Sequence, residues 1–127
     1  MKTIITGSRW ITSPAARHFL DASIRGLAWP VTEVVSGRAR GVDMLGEQWA
    51  KVHDIPIKGF AANWYPEGMK GGLDSGAGFR RNVEMAVYAD ALLAIWDGSS
   101  SSPGTKHMID TARLHGLRLV VKIWLAD

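Results

Sequence analysis

The stretch Thr32-Glu33-Val34-Val35-Ser36-Gly37-Arg38-Ala39-Arg40-Gly41-Val42-Asp43 decides how this chain folds. Its first residues are β-branched and extended in preference. Its middle is a glycine-bearing, doubly basic turn. Its end opens an amphipathic segment in which Val42, Leu45, Trp49 and Val52 recur at helical spacing, so they are expected on one buried face. A strand therefore runs through a tight turn into a helix. A turn of this kind offers backbone N–H groups and the positive end of a helix dipole, and the natural guest is an anion.

The same strand-then-helix unit repeats outward in both directions. Residues 2–6 read as a first strand. Ser13-Pro14 reads as an N-cap with proline at the first helical position, followed by Phe19, Leu20, Ile24 and Leu27 on one face and Gly26 near the end. Residues 32–36 give the second strand and 55–60 the third. A long glycine-rich loop spans 61–75, and loops of that length in small domains tend to be functional. A third helix over about 76–89 is expected to bury Phe79, Val83, Ala86 and Val87. Residues 91–96 form a continuous apolar run, as in a central parallel strand. Ser102-Pro103 starts a fourth helix with Met108, Ile109 and Ala112 inward and Gly116 at its end. Residues 118–124 form the last strand.

Alternation of this kind predicts a three-layer α/β fold, a doubly wound, Rossmann-like parallel sheet of five strands in the order 3-2-1-4-5. In that order strands one and four are neighbours, and their connections leave in opposite directions. Ligands bind there, beyond the C-terminal strand ends.

Composition sets the outer limits. The chain has 127 residues, 46% of them hydrophobic, which fits one domain over 1–127 with a substantial core. No apolar run is long enough to span a membrane, and the N-terminus lacks the layout of a signal peptide, so a cytoplasmic location and no membrane partner are expected. The absence of cysteine excludes disulfides and thiolate metal sites, and His18, His53 and His115 show no metal-ligand spacing, so no metal is expected. The net charge of +3 is unclustered, which suits a small anion better than nucleic acid.

Three loops carry the unusual residues, and the predicted topology places all three on one rim. They are Gly7, Ser8 and Arg9 after strand one; Ser36, Gly37, Arg38, Arg40, Gly41 and Asp43 after strand two; and Asp97, Gly98 and Ser99 through Gly104 and Thr105 after strand four. The glycines allow close backbone approach, the hydroxyls hydrogen-bond, and the arginines bind phosphate or carboxylate bidentately. The pattern is neither a Walker A loop nor the dinucleotide fingerprint, so routine ATP hydrolysis and hydride transfer are not implied. Trp10 and Trp64 lie in rim loops, where they can stack on a base. Trp49, Trp96 and Trp124 fit core or interface positions, and Trp29 before Pro30 fits a loop plug.

The segments Thr6-Gly7-Ser8-Arg9, Val35-Ser36-Gly37-Arg38-Ala39-Arg40-Gly41-Val42-Asp43, Ala77-Gly78-Phe79-Arg80-Arg81-Asn82, and Asp97-Gly98 through Gly104-Thr105-Lys106-His107-Met108-Ile109 resemble the small stand-alone YpsA-related proteins of the SLOG superfamily. That superfamily takes its name from DNA-processing (Smf/DprA) proteins and lonely-guy enzymes. The resemblance implies a Rossmann-like domain of bacterial or phage type that binds a nucleotide or nucleotide-derived ligand. By match to the pattern, Gly37, Arg40, Gly41, Asp43, Arg81, Asn82, Gly104 and Thr105 carry over as ligand-loop residues. Two departures stand out. Arg38 occupies a position where the family has glycine. The glutamate that lonely-guy phosphoribohydrolases place after their glycine-threonine turn is missing, for the turn continues Lys106-His107-Met108.

The leading expectation is therefore a sensor, carrier or sequestering protein for a nucleotide derivative, with no separate cofactor identified. Hydrolysis of an N-glycosidic or phosphoester bond is the alternative, with His107 the weak candidate for acid or base. Single-stranded nucleic-acid binding, as in the DNA-processing relatives, is a second alternative. The apolar last strand, at an edge of the sheet, favours a homodimer or higher oligomer.

Overall fold

The computed structural model describes residues 1–99 and 102–126. Five parallel strands form one sheet in the order β3-β2-β1-β4-β5. In chain order the elements are β1 (Lys2–Gly7), α1 (Pro14–Arg25), β2 (Glu33–Ser36), α2 (Val42–Val52), β3 (Ile57–Gly59), a 3-10 turn (Met69–Gly71), α3 (Ala77–Tyr88), β4 (Ala91–Trp96), α4 (Pro103–Leu114) and β5 (Arg118–Ile123). The expected topology is the one observed. Residues 100 and 101, the middle of the serine run 99–102, lie outside the described residues.

β1 and β4 pair in register from Thr3↔Ala91 to Gly7↔Ile95, and both are almost wholly buried. Successive side chains of a strand point to opposite faces, so the central strands feed two cores. Ile5, Leu93 and Ile95 pack with α1 and α2; Ile4, Leu92 and Ala94 pack with α3 and α4. Helices thus cover both faces, as right-handed crossovers in a doubly wound sheet require.

Local signals set the helix starts. Ser13 accepts a hydrogen bond from the Ala16 amide at 3.1 Å, with Pro14 at the first helical position. Pro103 opens α4 in the same way, although the Ser102 side chain does not cap it. Gly116 has φ +74° just past α4, the left-handed conformation that ends helices. Trp29 is buried with its indole N–H on the Thr3 hydroxyl at 3.0 Å, and it plugs the loop before β2.

Three local expectations need correction. β3 is confined to Ile57–Gly59, because Pro56 cannot donate to a ladder and only its carbonyl joins, accepting from Val34. On α2, Val52 is 79% exposed. On α3, Phe79, Val83 and Val87 face outward, and the buried residues are Ala77, Asn82, Met85 and Ala86. The cause is common to both helices. The sheet takes the stripe that carries the small side chains, Gly46 and Ala50 on α2 and Ala86 on α3 with Ala89 just past its end, since these let helix and sheet approach closely. A Cβ at Gly46 would stand 2.8 Å from Ile5 Cγ2. Among the described residues, no helix is long and apolar enough to cross a membrane.

Candidate functional site

A cleft of about 470 Å³ opens at the C-terminal ends of β1 and β4, the switch point of the sheet. Its floor is Thr6 and Gly7 at the end of β1. Gly7 admits no side chain there, because a Cβ would collide with the Ile95 carbonyl of β4. Its walls are Arg9 and Trp10 after β1, Ala39 and Asp43 around the start of α2, Trp64 and Ser75 from the long loop, and Gly78, Phe79, Arg81 and Asn82 from α3. The N-terminal turn of α4, residues 102–105, closes the remaining side.

The turn 37–40 is held from within. Ser36, fully buried, donates to Glu47 Oε2 at 2.7 Å and accepts from the Arg38 amide at 3.1 Å. Arg38 adopts φ +58°, and its guanidinium meets Glu47 Oε1 at 3.3 Å. The glycine expected from the family resemblance is thus replaced by an arginine in the left-handed conformation, which ties it to a buried glutamate and points it away from the cleft. Gly41 has φ +75°, and a Cβ there would strike the Ser8 carbonyl, so the turns after β1 and β2 touch backbone to backbone.

Asp43 and Arg81 finish the turn. Asp43 Oδ2 accepts from the Ala39 amide at 3.1 Å, and the Thr6 hydroxyl donates to the same carboxylate. Arg81 donates to the Gly37 carbonyl at 2.8 Å and lies against Asn82 Oδ1 at 3.3–3.4 Å. Burial pushes the Asp43 carboxyl up to about 6; the Ala39 amide and the Arg81 charge oppose that rise and do not cancel it. Burial also pulls the Arg81 guanidinium below its ordinary value, with the neighbouring Arg9 charge acting in the same direction.

Asn82 joins the two halves. It is 2% exposed, and its amide donates to the Gly104 carbonyl at 3.2 Å and to His107 Nδ1 at 3.1 Å. Accepting that bond places the imidazole proton on Nε2. The His107 ring stacks on Phe79 with centroids 4.1 Å apart and does not line the cleft. Burial lowers its pKa, so the ring is neutral at pH 7. His107 is a bracket between α3 and α4, and it is not placed as an acid or base for a guest in the cleft.

The first amides of α4 have no intrahelical acceptor. Gly104 faces open space, with nothing within 4 Å of where a Cβ would stand. Thr105 lines the cleft, is 6% exposed, and its hydroxyl has no hydrogen-bond partner among the described residues. A hydroxyl on the cleft wall beside free helix amides is a donor set that suits an anionic acceptor.

Of the residues expected at the site, Gly7, Arg9, Asp43, Arg81, Asn82, Gly104 and Thr105 line the cleft. Ser8 lies just beneath it, its hydroxyl paired with that of Ser102 at 3.0 Å. Ser36, Gly37, Arg38 and Gly41 build the turn behind Asp43. Arg40 is exposed and outside the cleft lining. Asp97 caps the Ser99 amide at 2.9 Å and accepts from Trp10 Nε1 at 2.9 Å, so Asp97, Gly98 and Ser99 shape the rim without lining the cleft. Phe79 and Glu47 were not legible as site or support residues. Trp10 and Trp64 stand in the walls, as their loops implied.

No protein-family model, no curated protein and no solved structure matches the chain. Among the described residues, no group of three His, Asp or Glu is placed to hold a metal ion.

Proposed function

We propose that this chain is an SLOG-type protein that binds a nucleotide or nucleotide-derived ligand, acting as a sensor, carrier or sequestering agent. The observation that carries the reading is the meeting of the uncapped α4 N-terminus with two guanidinium groups in one cleft. Arg9 and Arg81 repel one another, and a single carboxylate, Asp43, stands against both among the described lining residues. An anion on the Gly104 and Thr105 amides would relieve that repulsion and satisfy the Thr105 hydroxyl. Trp10 and Trp64 supply flat apolar walls for a base in the same cleft. Its volume falls within the range of small-molecule sites.

Calorimetry against nucleoside mono-, di- and triphosphates, ADP-ribose species and cyclic nucleotides tests the reading. Mass spectrometry of small molecules that co-purify with the native protein narrows the class. At least one phosphorylated nucleoside compound binds, and inorganic phosphate binds more weakly. Absence of binding across the panel would refute the proposal.

Hydrolysis of an N-glycosidic bond is the second reading, and Asp43 is the observation in its favour. A cleft carboxyl held near 6 can carry a proton at physiological pH. Against it, that carboxylate already accepts from Thr6 and Ala39. Chromatography for free base after incubation with nucleoside monophosphates separates the two readings.

A further inference from the structure

The outward face of α3 is the least expected feature of the molecule. Phe79, Val83 and Val87 stand one turn apart, and they are 48%, 41% and 71% exposed. Apolar residues at i, i+4 and i+8 on a solvent-facing helix mark a surface that another surface covers. Leu114, at the C-terminal end of the neighbouring α4, is exposed as well.

The charges beside the stripe say what covers it. Arg80 and Glu84 lie on one flank of α3, each one residue past a stripe position. Arg80 pairs within its own chain with Asp74, on the loop before α3. Glu84 is exposed and has no ion-pair partner among the described residues. This layout is complementary to itself. In an antiparallel pair of α3 helices related by a two-fold axis at Val83, Phe79 of each copy meets Val87 of the other. The axis keeps like flanks on the same side. Glu84 of each copy then lies within about one helical turn, roughly 5 Å along the axis, of Arg80 of the other.

We propose that the protein forms a two-fold symmetric dimer by antiparallel packing of α3 on α3 of a second copy. The contact buries the Phe79–Val83–Val87 stripe and exchanges Arg80–Glu84 ion pairs across it. The inference does not depend on the nucleotide reading, because it concerns a helix face outside the cleft. The two meet at Phe79 alone, which borders the cleft mouth and ends the stripe. A second copy therefore shields the exposed half of that ring.

Sedimentation equilibrium of the full chain over micromolar concentrations tests the proposal. The protein is expected to dimerise reversibly. V87S and E84R are each expected to raise the dissociation constant at least tenfold. Both positions are exposed, so the monomer fold, followed by circular dichroism, is unchanged. In a D74N background, which removes the carboxylate that Arg80 pairs with in its own chain, the double reversal R80E/E84R restores the dimer, because it swaps both ends of each intermolecular pair. A protein that is monomeric throughout refutes the proposal. A dimer indifferent to V87S and E84R refutes it as well, and would move attention to the β5 edge. A dimer weakened by V87S but not rescued by the double reversal refutes the antiparallel geometry.

Discussion

Asp43 shows how one side chain serves structure at a cost. Its carboxylate staples the turn after β2 through Ala39 and Thr6, and burial makes its charge expensive. The folded carboxyl titrates near 6, above the value of about 3.9 in an unfolded chain. Between those values the native state holds a proton that the unfolded chain has released. Stability from this group is therefore present below about pH 4, falls as pH rises toward 6, and is absent above it. Asp43→Asn keeps one oxygen for the Ala39 amide and removes the charge. It should stabilise the protein at pH 7 by on the order of 2–3 kcal/mol and flatten the urea-denaturation profile between pH 4 and 6. The arginines divide by position. Arg9→Ala should cost about 1.5–3 kcal/mol of affinity for a phosphorylated ligand. Arg40→Ala, outside the cleft lining, should change affinity by less than about 0.5 kcal/mol; calorimetry reads both. From sequence alone Arg40 had the stronger claim, since the family pattern carries it over and does not carry Arg9; the structure places Arg9 in the cleft lining and Arg40 outside it. Arg38 turning toward Glu47 could not be read from the sequence, where a glutamate in mid-helix looks solvent-exposed.

Among the elements, α3 and α4 act as a jointed wall. Asn82 spans them by bonding the Gly104 carbonyl and His107 while backing the Arg81 guanidinium. Asn82→Ala leaves those buried groups short of partners and should lower stability by about 1–3 kcal/mol in urea denaturation. It should also weaken phosphate-ligand binding, because both Arg81 and the α4 amides lose their alignment. Asn82→Asp tests the same bracket differently, since a carboxylate cannot donate to the Gly104 carbonyl. Strand and helix order was legible because alternation of type is a coarse signal. Helix rotation was not. The bulky stripe Phe79, Val83, Val87 outweighs the stripe Asn82, Met85, Ala86, Ala89 on any hydrophobicity scale, yet the second faces the sheet. The small residues within each stripe were the better clue, Gly46 and Ala50 on α2 and Ala86 and Ala89 at the end of α3. They also bring the polar residues Asp43, Glu47 and Asn82 indoors, where the neighbouring loops supply their partners.

For the whole molecule, the governing fact is that β1 and β4 are neighbours although some eighty residues separate them. The sequence placed Gly7, Asp43 and Gly104 on one rim through that adjacency. It did not show how deeply each loop would reach, because Ser8, Asp97 and Ser102 bond one another across the loops by contacts that no local pattern encodes. Long-range charge is modest, a net of +3 over 127 residues. Ligand affinity should therefore fall gently with salt, by much less than the steep log-linear loss of a nucleic-acid binder, in titrations from 50 to 200 mM salt.

The cleft draws its walls from four stretches of chain that have no contact until the sheet is complete. A guest lodged there would work as a clasp on the finished molecule, adding to the bonds that already join those stretches. Amide hydrogen exchange should then slow in concert after β1, around residues 36–43 and at the start of α4, including in segments the guest never touches.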